Sequence, residues 1–165
     1  MITTDYCRLM ARYNAWQNGS LLAAGDSLSD SERWRDRGAF FGSIRATLNH
    51  LYWEDALWLD RFAGNERPED SVPVDLNAPH DWETFKTLRA ARDEAVTTWA
   101  NALEPADLSG DVAWYPAGGS TRITKEKSLC IVHLFNHQTH HRGQVHAMLT
   151  AAGVEPEPTD LPILG

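Results

Sequence analysis

Apolar residues recur at helical spacing in four stretches of the chain, separated by polar, Gly-containing or Pro-containing segments. In the first, residues 4–26, Tyr6, Leu9, Met10, Tyr13 and Trp16 share one face. Gly19 is a weak point there, and Leu21 and Leu22 resume the pattern. Residues 27–38 are charged and Ser-rich and read as a connection. The second helix opens at Ser43, a good N-cap, and stops near Gly64. Its stripe is Ile44, Leu48, Leu51, Trp58 and Phe62, with Asp55 inside it. A carboxylate there is costly without a partner. Residues 65–79 hold three prolines and no periodicity, so a loop is expected. The third helix runs from the Asp81 cap to about Leu103, before Pro105, with Phe85, Leu88, Ala95, Trp99 and Leu103 on its buried side. Residues 111–125 read as two short strands about Gly118-Gly119. The fourth helix begins between Thr124 and Lys127 and continues to Ala152, stopping at Gly153. Residues 154–165, with three prolines, are expected to run extended over the surface.

These elements predict an all-α fold: an antiparallel four-helix bundle with a short β-hairpin before the last helix, in a single domain over residues 1–165. At 165 residues such a domain needs no disulfide staple, and an apolar fraction of 42% argues against disorder. Seven tryptophans supply large buried surfaces. Cys7 and Cys130 stand in helical apolar patterns and no CxxC, so two reduced, buried thiols and a cytoplasmic location are expected. Residues 1–12 show no signal-peptide core, and no apolar run approaches the ~20 residues of a membrane span. A net charge of −8 lacks the footprint of a nucleic-acid binder, and Arg33, Arg35 and Arg37 read as a solvated linker.

The histidines change the picture. Five of seven (His133, His137, His140, His141 and His146) fall in the fourth helix. His137 and His141 are four residues apart, on one face and about 6 Å from each other, so both can reach one ion. His133 extends that face, but residues eight apart are separated by roughly 12 Å of rise. One ion therefore takes either the His133/His137 pair or the His137/His141 pair. His50, on the inner side of the second helix beside Glu54 and Asp55, is the natural third ligand.

The segment His133-Leu-Phe-Asn-His-Gln-Thr-His-His-Arg-Gly-Gln144 resembles the signature of the DinB family. So do Ala11-Arg-Tyr-Asn-Ala-Trp16, Phe41-Gly-Ser-Ile-Arg45, and Leu48-Asn-His-Leu51 followed by Asp55 and Trp58. The resemblance spans nearly the whole chain in order, and implies a four-helix bundle. It also implies His50, His137 and His141 as metal ligands, which selects the second pair, with His133 beside the site. It suggests a homodimer too, for which Trp34 and Trp82 are candidate interface residues. His140 points about 100° from His141 and reads as structural. Gly143 would permit close helix approach, and Gln144 would hydrogen-bond near the site. Asp55 is a candidate to support the site or to bond between helices.

Three neutral imidazoles leave a divalent ion its full charge and at least one open position, the pattern of catalytic sites. Such an ion can lower the pKa of water, polarise a carbonyl or stabilise a thiolate. Zinc, nickel or iron is the expected cofactor, and copper also suits imidazole. The expected function is that of a metalloenzyme acting on a small molecule: a hydrolase, or a thiol-dependent transferase or isomerase, for which the resemblance implies a low-molecular-weight thiol. Glu54 and Tyr13 are the candidates for a general base. The competing expectation is a stress-induced metal-binding scaffold without turnover, in which removing the ion would unfold the bundle.

Overall fold

The computed structural model describes residues 2–67, 81–116 and 118–164. Its elements, in order, are α1 (Thr4–Gly25), α2 (Asp30–Trp34), α3 (Ile44–Phe62), α4 (Trp82–Ala102), β1 (Asp111–Trp114), β2 (Ile123–Glu126) and α5 (Lys127–Ala151). Short 3-10 turns lie at Pro105–Leu108 and Leu161–Ile163. The four long helices form the bundle, and β1 pairs antiparallel with β2 from Asp111 opposite Glu126 to Trp114 opposite Ile123. Of the expected loop over residues 65–79, residues 68–79 lie outside the described residues, as do Ala117 and Gly165.

The helix starts are set by side chains that satisfy the first free amides. The Ser43 hydroxyl accepts from the Ala46 amide at 3.1 Å, Asp81 accepts from Thr84 at 2.9 Å, and Thr3 accepts from Tyr6 at 3.1 Å. Around the bundle, α1 packs against α4 and α5, and α3 packs against the same two helices. Contacts between paired residues give the directions. The Arg8 guanidinium reaches the Leu103 carbonyl, and Trp82 reaches Asp26, so α1 and α4 are antiparallel. Phe62 stacks on Trp99 while Tyr52 meets Phe85, so α3 and α4 run together. Asp55 meets Gln138 and Trp58 meets His133, so α5 runs against α3 and alongside α1.

Two apolar clusters fill opposite ends of the bundle. One contains Cys7, Trp58, Val96, Ile131 and Phe135; the other contains Leu21, Ile44, Leu48, Phe85, Val145 and Leu149. Both cysteines are free and buried. Between the clusters runs a polar layer. Arg89, fully buried, donates to Asp55 at 2.6 Å and to Asp93 at 2.7 Å, and Asn18 donates to Asp93 at 2.8 Å. Gln138 donates to the other oxygen of Asp55, and Arg142 donates to Asn14 and Gln138. Asp55 thus bonds between helices, to Arg89 and Gln138.

Several expectations need correction. The buried line of α4 is Trp82, Phe85, Arg89, Asp93, Val96 and Ala100, while Leu88, Ala95 and Trp99 are only half-buried. The polar layer draws Arg89 and Asp93 inward, which hydrophobicity alone does not anticipate. Residues 27–38 include α2, whose Ser29 hydroxyl accepts from the Glu32 amide at 3.3 Å. Arg33 is buried, donating to the Gly25 and Leu28 carbonyls beneath the Trp82 ring, so it is no solvated linker residue. Trp82 is itself buried, packed on Gly25, where a Cβ would come within 2.9 Å of the ring. Among the described residues, Gly143 has nothing within 4 Å of where a Cβ would stand, so the close approach is at Gly25 and not at Gly143.

The C-terminal segment lies along α1, as expected. Tyr13 donates to the Thr159 carbonyl at 2.6 Å, Trp16 to Glu157 at 2.9 Å and Gln17 to the Pro158 carbonyl at 3.0 Å. Among the described residues, no helix is long and apolar enough to cross a membrane.

Candidate metal centre

His50 projects from the second turn of α3, and His137 and His141 from the middle of α5, where these helices face each other. The i, i+4 spacing on α5 brings its two rings to 4.5 Å between centroids, and both meet His50, at 5.0 and 4.7 Å. The Nε2 atoms of His50 and His137 are 3.1 Å apart, and one nitrogen from each of the three rings lies within 4.8 Å of the others. Two nitrogens ~2.1 Å from one tetrahedral ion stand roughly 3.4 Å apart. The closest pair is already inside that separation, and the third nitrogen lies within 4.8 Å of both. The donor set fits a divalent cation.

Electrostatics agree with the geometry. Burial, with the neighbouring His141, pushes the pKa of His50 down to about 4. Burial, together with the surrounding imidazoles, pushes His137 down to about 3. Burial also lowers His141, against the hydrogen bond its ring donates to Gln144, which works the other way. All three rings are therefore neutral at pH 7, and each has a nitrogen lone pair to offer. Gln144 orients the third: its Oε1 lies 2.8 Å from Nδ1 of His141, which assigns the ring proton to Nδ1 and leaves Nε2 free to ligate. His137 Nδ1 is buried with no hydrogen-bond partner among the described residues, an orphaned polar atom beside the cluster.

The other histidines lie outside this triangle. His133 is one turn back, its ring 5.5 Å from that of His137 and 5.2 Å from Trp58. Spacing alone treated it as equal to His141, and the position of His50 separates them. His140 is exposed, packs edge-on against His141 at 4.8 Å and meets Gln144 at 3.3 Å. The Tyr13 hydroxyl is committed to the Thr159 carbonyl. Glu54 stands one turn beyond His50 on α3.

The sequence places Phe41 in a stretch resembling the family pattern but gives the aromatic surround no role at the site. Phe41 lies over His50, with centroids 4.0 Å apart and planes at 31°, and 5.4 Å from the His141 ring. Trp53 approaches His50 at 6.4 Å. The available signal was the aromatic pair Phe40-Phe41 in a polar segment just before the Ser43 cap.

Comparison with known proteins places this arrangement. The chain is 25% identical over 162 residues to Protein DinB of Bacillus subtilis (strain 168), covering 95% of this chain and 92% of that protein. The fold resembles the crystal structure of a DinB-like protein from Bacillus cereus ATCC 10987, with TM-score 0.55 and 19% identity over 87% of this chain and 90% of that one. It also resembles YfiT from Bacillus subtilis, with TM-score 0.61 and 14% identity over 93% and 91% of the two chains. That protein is described as a probable metal-dependent hydrolase with an unusual four-helix bundle topology. The DinB family pattern matches residues 1–164, and the chain belongs to the DinB family.

Proposed function

We propose that His50, His137 and His141 hold one divalent ion, zinc, nickel or iron, and that the chain is a metal-dependent hydrolase working at this centre. The observation that carries the reading is the convergence of three neutral imidazole nitrogens within 4.8 Å, with no carboxylate or thiolate in the set. Neutral ligands leave the ion its full charge, and three of them leave a position for substrate. An ion held by these residues would supply Lewis acidity toward a carbonyl or phosphoryl oxygen and toward water.

The chain's own groups do the rest. Gln144 fixes the His141 tautomer, and Phe41 covers one side of His50 and keeps bulk water from that face. The resemblance of the fold to that of YfiT supports hydrolysis by analogy. Thiol-dependent transfer would need a low-molecular-weight thiol from solution. Cys7 and Cys130 are both buried, and burial raises both thiol pKa values. Hydrolysis needs only water and is the simpler reading.

The test is a screen of chelator-treated protein reloaded with zinc, nickel or iron(II). Esters, amides and phosphoesters would be offered in one arm, and thiols with electrophiles in the other. Turnover that requires the ion and disappears in His141→Ala is the expected result. Tight metal binding without turnover in any class, together with unfolding on metal removal, would instead favour the scaffold function.

A further inference from the structure

We propose that Phe40 and Phe41 form a specificity wall beside the metal centre that selects ligands carrying an aromatic or branched apolar group next to the metal-binding atom. This rests on the metal-centre reading above and deepens it by naming a substrate class.

Phe41 lies over His50 at 4.0 Å and faces His141 at 5.4 Å, so it borders two of the three rings. Phe40 meets Phe41 edge-on at 4.9 Å and is 82% exposed, the most exposed large apolar side chain among the described residues. Single exposed apolar residues are ordinary. This one differs in being held in place next to a candidate site. The Gly42 amide donates to the Ala39 carbonyl at 2.8 Å, and the Arg37 amide donates to the Gly42 carbonyl at 2.7 Å. Gly42 turns the chain at φ +78°, where a side chain would be strained, and the Asp36 carboxylate accepts from the Gly38 amide at 2.9 Å. Arg37 pairs with Glu32 at 2.9 Å and ties the segment to α2. The two rings are therefore presented by a hydrogen-bonded turn.

Trp53, 6.4 Å from His50, adds a second aromatic group near the same ring. A ligand bound through one head atom would extend past Phe41 toward Phe40. An aryl or branched alkyl body would bury apolar surface there and gain edge or offset ring contacts, whereas a strongly hydrated body would lose water without replacement.

The experiment uses the full chain loaded with cobalt(II), whose visible bands report ligand binding without turnover. The probes are acetohydroxamate and benzohydroxamate, which share a head group and differ in body. The wild type is expected to bind benzohydroxamate at least tenfold tighter. Phe40→Ser, a substitution at an exposed position, should reduce that ratio to threefold or less while leaving the cobalt bands and the acetohydroxamate affinity unchanged. Phe40→Tyr should restore the preference. Equal affinities in the wild type, or an unchanged ratio in Phe40→Ser, would overturn the proposal. So would a wild-type dimer that dissociates in Phe40→Ser, since a second copy would then cover the ring. Absent cobalt bands would instead sink the metal reading itself, and this inference with it.

Discussion

Two buried polar clusters lie at neighbouring levels of the same bundle, and they are built on opposite principles. In the Asp55–Arg89–Asp93 layer, opposite charges meet: burial works against the Arg89 charge, but the two carboxylates more than offset it and hold its pKa above the ordinary value. In the His50–His137–His141 cluster, three like groups meet, all driven neutral, with ring nitrogens facing one another. The first cluster is paired within the chain and serves to join α1, α3, α4 and α5. Among the described residues the second brings together no carboxylate or thiolate with its rings, and a set of imidazole lone pairs is one that suits a cation. Burial of polar side chains alone therefore does not distinguish structure from function; the signs of the groups brought together do.

The largest expected effect breaks the structural side of this comparison. Asp55→Ala leaves Arg89 buried with one carboxylate and Gln138 without its acceptor. It should cost about 3–5 kcal/mol in denaturant unfolding. A loss under about 1 kcal/mol would mean that the layer is not a clamp.

The two clusters should also respond oppositely to acid. His50 and His137 have folded pKa values depressed to about 4 and about 3, so the unfolded chain binds more protons than the folded one below about pH 6.5. Stability of the metal-free protein should fall as pH drops from 7 to 5, by about 2–3 kcal/mol after discounting for solvent at the rim. Asp93 works the other way. Burial raises its folded pKa to about 6, despite Arg89, so its contribution to stability is lost as pH rises through about 6. Asp93→Asn should therefore steepen the acid loss between pH 7 and 5, read from unfolding midpoints at each pH. An unchanged slope would place the Asp93 pKa elsewhere.

Smaller effects sharpen the site. Gln144→Ala removes the group that orients His141, and metal affinity should fall roughly 10–100-fold by competition with a chelator, with little change in fold. Gly143→Ala should stabilise the chain by about 0.5–1 kcal/mol, because that helical position has open space where the methyl would go. Destabilisation there would show that something else packs against α5.

Much of this was legible in the sequence, for identifiable reasons. The Ser43 and Asp81 caps fixed the starts of α3 and α4, and Gly64 and Gly153, both at positive φ, follow the ends of α3 and α5. The Ser29–Glu32 capping pattern marks the start of α2, but the charged stretch around it has no apolar periodicity to support a helix. Apolar periodicity does not reveal the face of α4, because its inward line carries Arg89 and Asp93, whose burial makes sense only with Asp55 opposite. At the centre, the i, i+4 rule selected His137 and left His133 and His141 equivalent, since ligand choice depends on where another helix delivers His50. Phe41 stands in a family-like stretch, but its place over His50 is set by the turn at Gly42, and no periodicity encodes that.

The most direct measurement is metal content by elemental analysis of untagged protein, for the wild type and His137→Ala, with thermal unfolding run on both. The account predicts about one ion per chain in the wild type, lost in a variant that still unfolds cooperatively. A wild type that takes up no ion after loading with zinc and nickel, or a variant that retains a full equivalent, would contradict it.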